Sequence, residues 1–128
     1  MAAIAFPRSS EEHFEQLRKA PVLALPTALL FVVSMAGIAT TWYLALNSML
    51  PLWVGAISNG LVTYLLFSVI HDASHKSLSS VGWINDSIGA IGLFFLFPYA
   101  PMVLLRWVHN KHHTHTNGPK DPDRFEHE

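Results

Sequence analysis

Between Lys19 and Asp72 there is no Asp, Glu, Lys or Arg, so residues 20–71 form a run of 52 positions without a formal charge. Roughly a quarter of the residues of a soluble domain are charged, which makes such a gap hard to place in water. A lipid bilayer is the simplest solvent for it, because a spanning helix needs only about 20 apolar residues. Over all 128 residues 51% are hydrophobic and 13% charged, a balance that also excludes disorder. Within the gap, residues 22–46 would reach about 37 Å as a helix. Asn47, Ser48 and Pro51 then interrupt, and residues 52–70 supply a second apolar stretch. Trp42, Tyr43 and Trp53 flank the interruption, where an aromatic belt belongs at a membrane–water interface. The pattern predicts an all-α membrane protein built on a transmembrane helical hairpin.

The cations give its orientation. Arg8, Arg18 and Lys19 precede the first span, none lies in the turn, and Lys76, Arg106, Lys111, Lys120 and Arg124 follow the second. The positive-inside rule then places both ends of this chain in the cytoplasm. Residues 1–20 form a polar cytoplasmic segment without the basic start and short apolar core of a secretory signal. There Ser9 and Glu12 match a capping box, and Phe14, Leu17 and Ala20 recur at helical spacing, predicting a short amphipathic helix at the membrane surface. A third apolar stretch, residues 87–105, contains Gly89, Gly92, Pro98 and Pro101. Prolines that remove backbone donors and basic residues on both flanks disfavour a crossing. We expect a re-entrant or interfacial stretch, which keeps the polar segments on its two sides on one face of the membrane.

The chain has no cysteine, which removes disulfides, thiolate zinc sites, iron–sulfur clusters and cysteine nucleophiles together. A net charge of −1, with no basic run, gives no field for nucleic acid. Histidine is over-represented, and six of the eight lie between His71 and His115. His71 and His75, at i and i+4, fall on one helix face about 6 Å apart along the axis. His109, His112 and His113, at i, i+3 and i+4, point to nearly the same side of a turn. A single histidine at such a position is more often structural, but two clusters at ligand spacing favour a metal site. Neutral imidazole suits zinc, copper, iron or nickel, so spacing alone leaves the metal open. His71 closes an uncharged span, where ionisable groups are costly and usually functional. Asp72 is placed to accept a hydrogen bond from the non-ligating nitrogen of a neighbouring histidine, or to be a solvated helix-end charge. His115 ranks below these five histidines, and His13 and His127 read as surface residues.

HDASH at 71–75 and HNKHH at 109–113, preceded by a membrane hairpin and separated by an apolar stretch, resemble the first two histidine boxes of the membrane fatty acid desaturase superfamily. The continuation HTNGPKDPD at 115–123 resembles the tail after the second box in bacterial-type members, and the likeness spans residues 22–123. It implies a non-haem centre of two iron ions on the cytoplasmic side, with His71, His75, His109, His112 and His113 as ligands. It also implies molecular oxygen as oxidant, a fatty acyl substrate and an external electron donor of ferredoxin or cytochrome b5 type. The chain carries no dinucleotide fingerprint of its own. The family's third box, H/Q-x-x-H-H, and a second hairpin are absent from these residues. We therefore expect residues 21–128 to be a partial desaturase-like domain, a fragment inactive alone. Carotenoid ketolases or hydroxylases and alkane hydroxylases carry similar boxes and insert oxygen instead. From another class, a non-catalytic membrane metal-binding protein would share the histidines; a transporter would place polar groups near mid-membrane, whereas here both spans lack charge and the histidines gather beyond the second.

Overall fold

The computed structural model describes Glu15 and residues 19–124, and every regular element of more than one residue among them is helical. The helix expected around Ser9, Glu12, Phe14 and Leu17 lies outside the described residues. The elements follow in order: α1 (Leu25–Leu46), α2 (Leu52–Ser74), α3 (Gly82–Leu96) and α4 (Met102–His115). Helices α1 and α2, with 22 and 23 residues, are long and apolar enough to cross a membrane. At 1.5 Å per residue each measures about 33–35 Å, against a hydrocarbon core of about 30 Å. Helix α2 continues past Ile70 and takes His71 into its last turn.

The turn between α1 and α2 is formed by the backbone. Ser48 adopts φ 58°, its N–H donates to the Ala45 carbonyl, and the Met49 N–H donates to that of Leu44. This is a Schellman ending built without glycine. The same motif closes α2: Lys76 has φ 57°, its N–H donates to Ala73, and the Ser77 N–H donates to Asp72. The chain is thus turned sharply one residue after His75.

The hairpin packs through small residues. A Cβ at Gly37 would sit 2.9 Å from Cγ1 of Val62, so α1 and α2 approach at a distance only glycine permits without a shift. Close approach of this kind drives helix association where lipid removes the hydrophobic force between helices. Helix α3 lies on α2 in the same manner: a Cβ at Gly89 would meet the Ala73 Cβ at 3.0 Å and Cε of Met102 at 2.8 Å. The buried core, Ile38, Leu66, Val69, Ile70, Ala73, Leu78, Leu93 and Met102, is concentrated towards the histidine-bearing end of α2. Many long apolar side chains of α1 and α2, Leu29, Val32, Leu61 and Tyr64 among them, face outward, as a lipid-facing surface requires.

At 15 residues α3 is too short to span, and the chain turns through residues 97–101 before α4 begins behind Pro101. The two prolines at 98 and 101 fall in this break, where their missing N–H groups cost no helical bond. The connection between α2 and α3 is strapped to the start of α1. Ala24 N–H donates to the Leu78 carbonyl, Ser80 N–H to that of Pro21, and the Ser79 hydroxyl to that of Val22. Fully buried Asn85 holds this strap from inside: its amide donates to the carbonyls of Ser79 and Val81, and its oxygen accepts the Ser79 N–H. Asn85→Ala leaves the Ser79 N–H and carbonyl without these partners, while the Val81 carbonyl keeps the Ile84 N–H. At about 1–3 kcal/mol for a stranded buried group, partly recovered by relaxation, the expected loss is about 2–4 kcal/mol in a denaturant titration of the micelle-embedded protein. A loss below about 0.5 kcal/mol would contradict this role for Asn85.

Candidate metal centre

The end of α2 and the C-terminal half of α4 bring four imidazoles together. His71, His75, His109 and His113 each offer one ring nitrogen such that all four lie within 4.8 Å of one another. His71 and His75 come from adjacent turns of α2, with ring centroids 4.7 Å apart, and His109 and His113 from adjacent turns of α4, 4.5 Å apart. Across the helices, Nε2 of His109 lies 3.0 Å from Nε2 of His75 and 3.1 Å from Nε2 of His113. Taking about 2.1 Å for a metal–imidazole bond, two nitrogens on one ion are about 3.0 Å apart at a right angle and about 3.4 Å apart in a tetrahedron. These two separations are those expected of donors around a single ion, and the donor set fits a first-row transition metal.

Electrostatics agrees. Burial first, and then the neighbouring His71, His75, His113 and His112, push the His109 imidazole from its ordinary 6.5 down to about 4. His75 is lowered as well, by burial and then by His71 and His113, with Asp72 opposing. Both rings are neutral at pH 7 with lone pairs available to a metal. In the metal-free protein the His109 ring-proton resonances should titrate near pH 4, and a midpoint at 6.5 would contradict the packing described. Because the folded-state value lies below the unfolded one, the contribution of His109 to stability is complete above pH 6.5. It is lost as the pH falls towards 4.

His112 stands apart from the four. Successive helical residues are rotated by about 100°, so His112 cannot share the direction of His113. Its Nδ1 lies 2.9 and 3.1 Å from the two carboxylate oxygens of Asp121. Asp121 is carried back over α4 by the turn that follows it. Its side chain is 1% exposed. Oδ1 also accepts the Asp123 N–H and Oδ2 the Asn117 N–H. Burial works against ionisation of Asp121, but the donors from Asp123, His112 and Asn117 outweigh it and hold the carboxyl below the usual range. The half-buried His115 ring turns instead to the Lys111 carbonyl of its own helix.

Two further residues, Arg106 and Thr27, shape the site and carried no ligand signal in the sequence. Arg106, one turn before His109, donates from Nε to the Ser74 carbonyl and from Nη2 to the Ala73 carbonyl and the Asp86 carboxylate. It fixes α4 to the end of α2. The Thr27 hydroxyl donates to Asp72 at 2.6 Å. The Asp72 carboxylate is thereby held at the start of α1, 3.7 Å from Nδ1 of His71, beyond direct hydrogen-bond reach. Only the hydroxyamino acid at 27 and the arginine at 106 would have been available as hints, and neither sits in a motif.

A membrane-type helical hairpin with a polyhistidine cluster at one end defines a class of membrane metalloprotein. The model of the fatty acid desaturase family matches residues 47–128, and the chain belongs to that family. An sn-1 oleoyl-lipid 12-desaturase of Anabaena variabilis is 36% identical over 108 residues, covering 84% of this chain and 29% of that protein. The chloroplastic omega-6 fatty acid desaturase of Glycine max is 34% identical over 92 residues, 69% of this chain and 18% of its own length. A bifunctional fatty acid conjugase/Delta(12)-oleate desaturase of Punica granatum is 28% identical over 85 residues, 66% of this chain and 17% of its own. The chain spans less than a third of the length of these relatives. No solved structure matches.

Proposed function

We propose that this chain is the first-hairpin portion of an oxygen-dependent membrane desaturase that introduces a double bond into fatty acyl chains. The convergence of His71, His75, His109 and His113 carries the proposal, and oleoyl lipid is the acyl class to test first, given the names of the relatives. The proposed ligand set is these four with His112, holding iron on the cytoplasmic side. Charge distribution supports that side: Lys76, Arg106, Lys111, Lys120 and Arg124 gather at the histidine end and none lies in the α1–α2 turn. Bound iron would supply the oxygen activation that breaking an unactivated C–H bond demands. The chain's own residues set the rest. The neutral rings of His75 and His109 present lone pairs, Arg106 holds the two histidine pairs in register, and the apolar hairpin would shelter the acyl chain beside the cluster. Five imidazoles are too few donors for two irons, so the chain alone binds iron without turning over substrate. Electrons come from an external carrier of ferredoxin or cytochrome b5 type.

The test is a chimera in which residues 1–128 replace the matching part of the Anabaena variabilis relative, expressed in cells containing oleoyl lipid. The expected result is a second double bond in the acyl chain, absent when His109 is alanine and absent with residues 1–128 alone. Oxygenated products in place of the second double bond would overturn the reading.

A further inference from the structure

Resting on the iron-binding reading above, we infer that Asp121 is the positioning residue for His112: it fixes the ring proton on Nδ1 and so presents Nε2 as the metal-binding atom. An ionised carboxylate has only lone pairs to offer. With both oxygens of Asp121 within 3.1 Å of Nδ1, that nitrogen must carry a proton, because a bare lone pair there would face two others. The neutral ring then has its free lone pair on Nε2, and among the described residues no hydrogen bond engages that atom.

Asp121 itself cannot turn away. The backbone N–H groups of Asn117 and Asp123 hold its two oxygens at 2.7 and 2.9 Å, and its side chain is 1% exposed. Asn117 adopts φ 57° in the same turn, a conformation asparagine tolerates well. The turn after α4 is therefore a clasp with one product: a histidine whose donor atom and orientation are set before any metal arrives. The same contacts argue against a separate cation between His112, Asp121 and Asp123. The 2.9 Å contact is a direct hydrogen bond, and the carboxylate lone pairs are already occupied by N–H donors. Asp123, 57% exposed and 3.8 Å from Nδ1, is too distant to direct the tautomer.

The experiment uses the full 128-residue chain in micelles with 15N-labelled histidine, first without metal and then titrated anaerobically with iron(II). Wild type should give His112 ring shifts of the Nδ1–H tautomer at nine-tenths or more. Asp121→Asn, which must set an amide N–H against one of the three donors, should shift it to half or less, towards the Nε2–H form preferred by free histidine. Asp123→Asn should leave it unchanged. Asp121→Asn should weaken the iron that depends on His112, identified by His112→Ala, by about 10–100-fold. A wild-type His112 with Nε2–H, which needs no variant to observe, or a tautomer indifferent to Asp121→Asn, would overturn the inference. Should the chain take up no iron at all, the desaturase reading fails, while the metal-free tautomer still decides the role of Asp121.

Discussion

His109→Ala is expected to weaken iron binding by the chain by more than a hundredfold, the largest effect of any single substitution. Its Nε2 is the hub of the cluster, about 3 Å from the corresponding atoms of both His75 and His113. Removal of residues that merely orient a metal ligand costs about 10–100-fold, and loss of the ligand between two others must exceed that. Helix content should be retained, since His109 contributes no buried apolar contact to the core. Anaerobic iron(II) titration followed by equilibrium dialysis measures the effect. An affinity within threefold of wild type would remove His109 from the ligand set.

Arg106→Met is expected to act on both stability and metal binding. Its guanidinium neutralises the carbonyl end of α2, where the helix dipole is negative, through two bonds of 3.1 Å, and reaches Asp86 on α3 at 2.7 Å. Hydrogen bonds to charged groups are worth about 1.5–3 kcal/mol each, while the Asp86 partner is well exposed and adds little. Methionine keeps the stem and removes all three, for an expected cost of about 2–4 kcal/mol. Because Arg106 is one turn from His109, iron affinity should fall at least tenfold as α4 loses its register with α2. Arg106→Lys should recover only part of the loss, since a point charge cannot reproduce the planar fork. Denaturant titration in micelles and iron titration read the two effects. Unchanged iron affinity in Arg106→Met would show that α4 is seated by its apolar contacts alone.

The hairpin was legible because a bilayer leaves a direct mark on composition. A charge-free run of 52 residues with one Asn-Ser-Pro interruption has few other solutions. His71, His75, His109 and His113 were legible for a local reason as well, since i and i+4 share a helix face. His112 was grouped with them on the same rule, and the structure separates it, because three histidines within five residues span more than one face. Asn85, Arg106 and Asp121 could not be read in advance. Their partners include groups 20 to 33 residues away for Arg106 and a turn folded back over α4 for Asp121. Nothing in the local sequence around Asn85 distinguishes a fully buried amide from a surface one. Gly89 and Gly92 stood out in the third apolar stretch without an assigned role; both lie inside α3, where their missing side chains let it settle on Ala73 and Ile70.

The central claim is that the ends of α2 and α4 together hold iron through imidazole nitrogen. X-ray absorption at the iron edge of the iron(II)-loaded chain tests it most directly. Iron held by these rings gives nearest scatterers dominated by nitrogen, with the outer-shell scattering of at least three imidazoles, and that signal collapses in His109→Ala. A shell of oxygen donors with one imidazole or none, unchanged by His109→Ala, would contradict it.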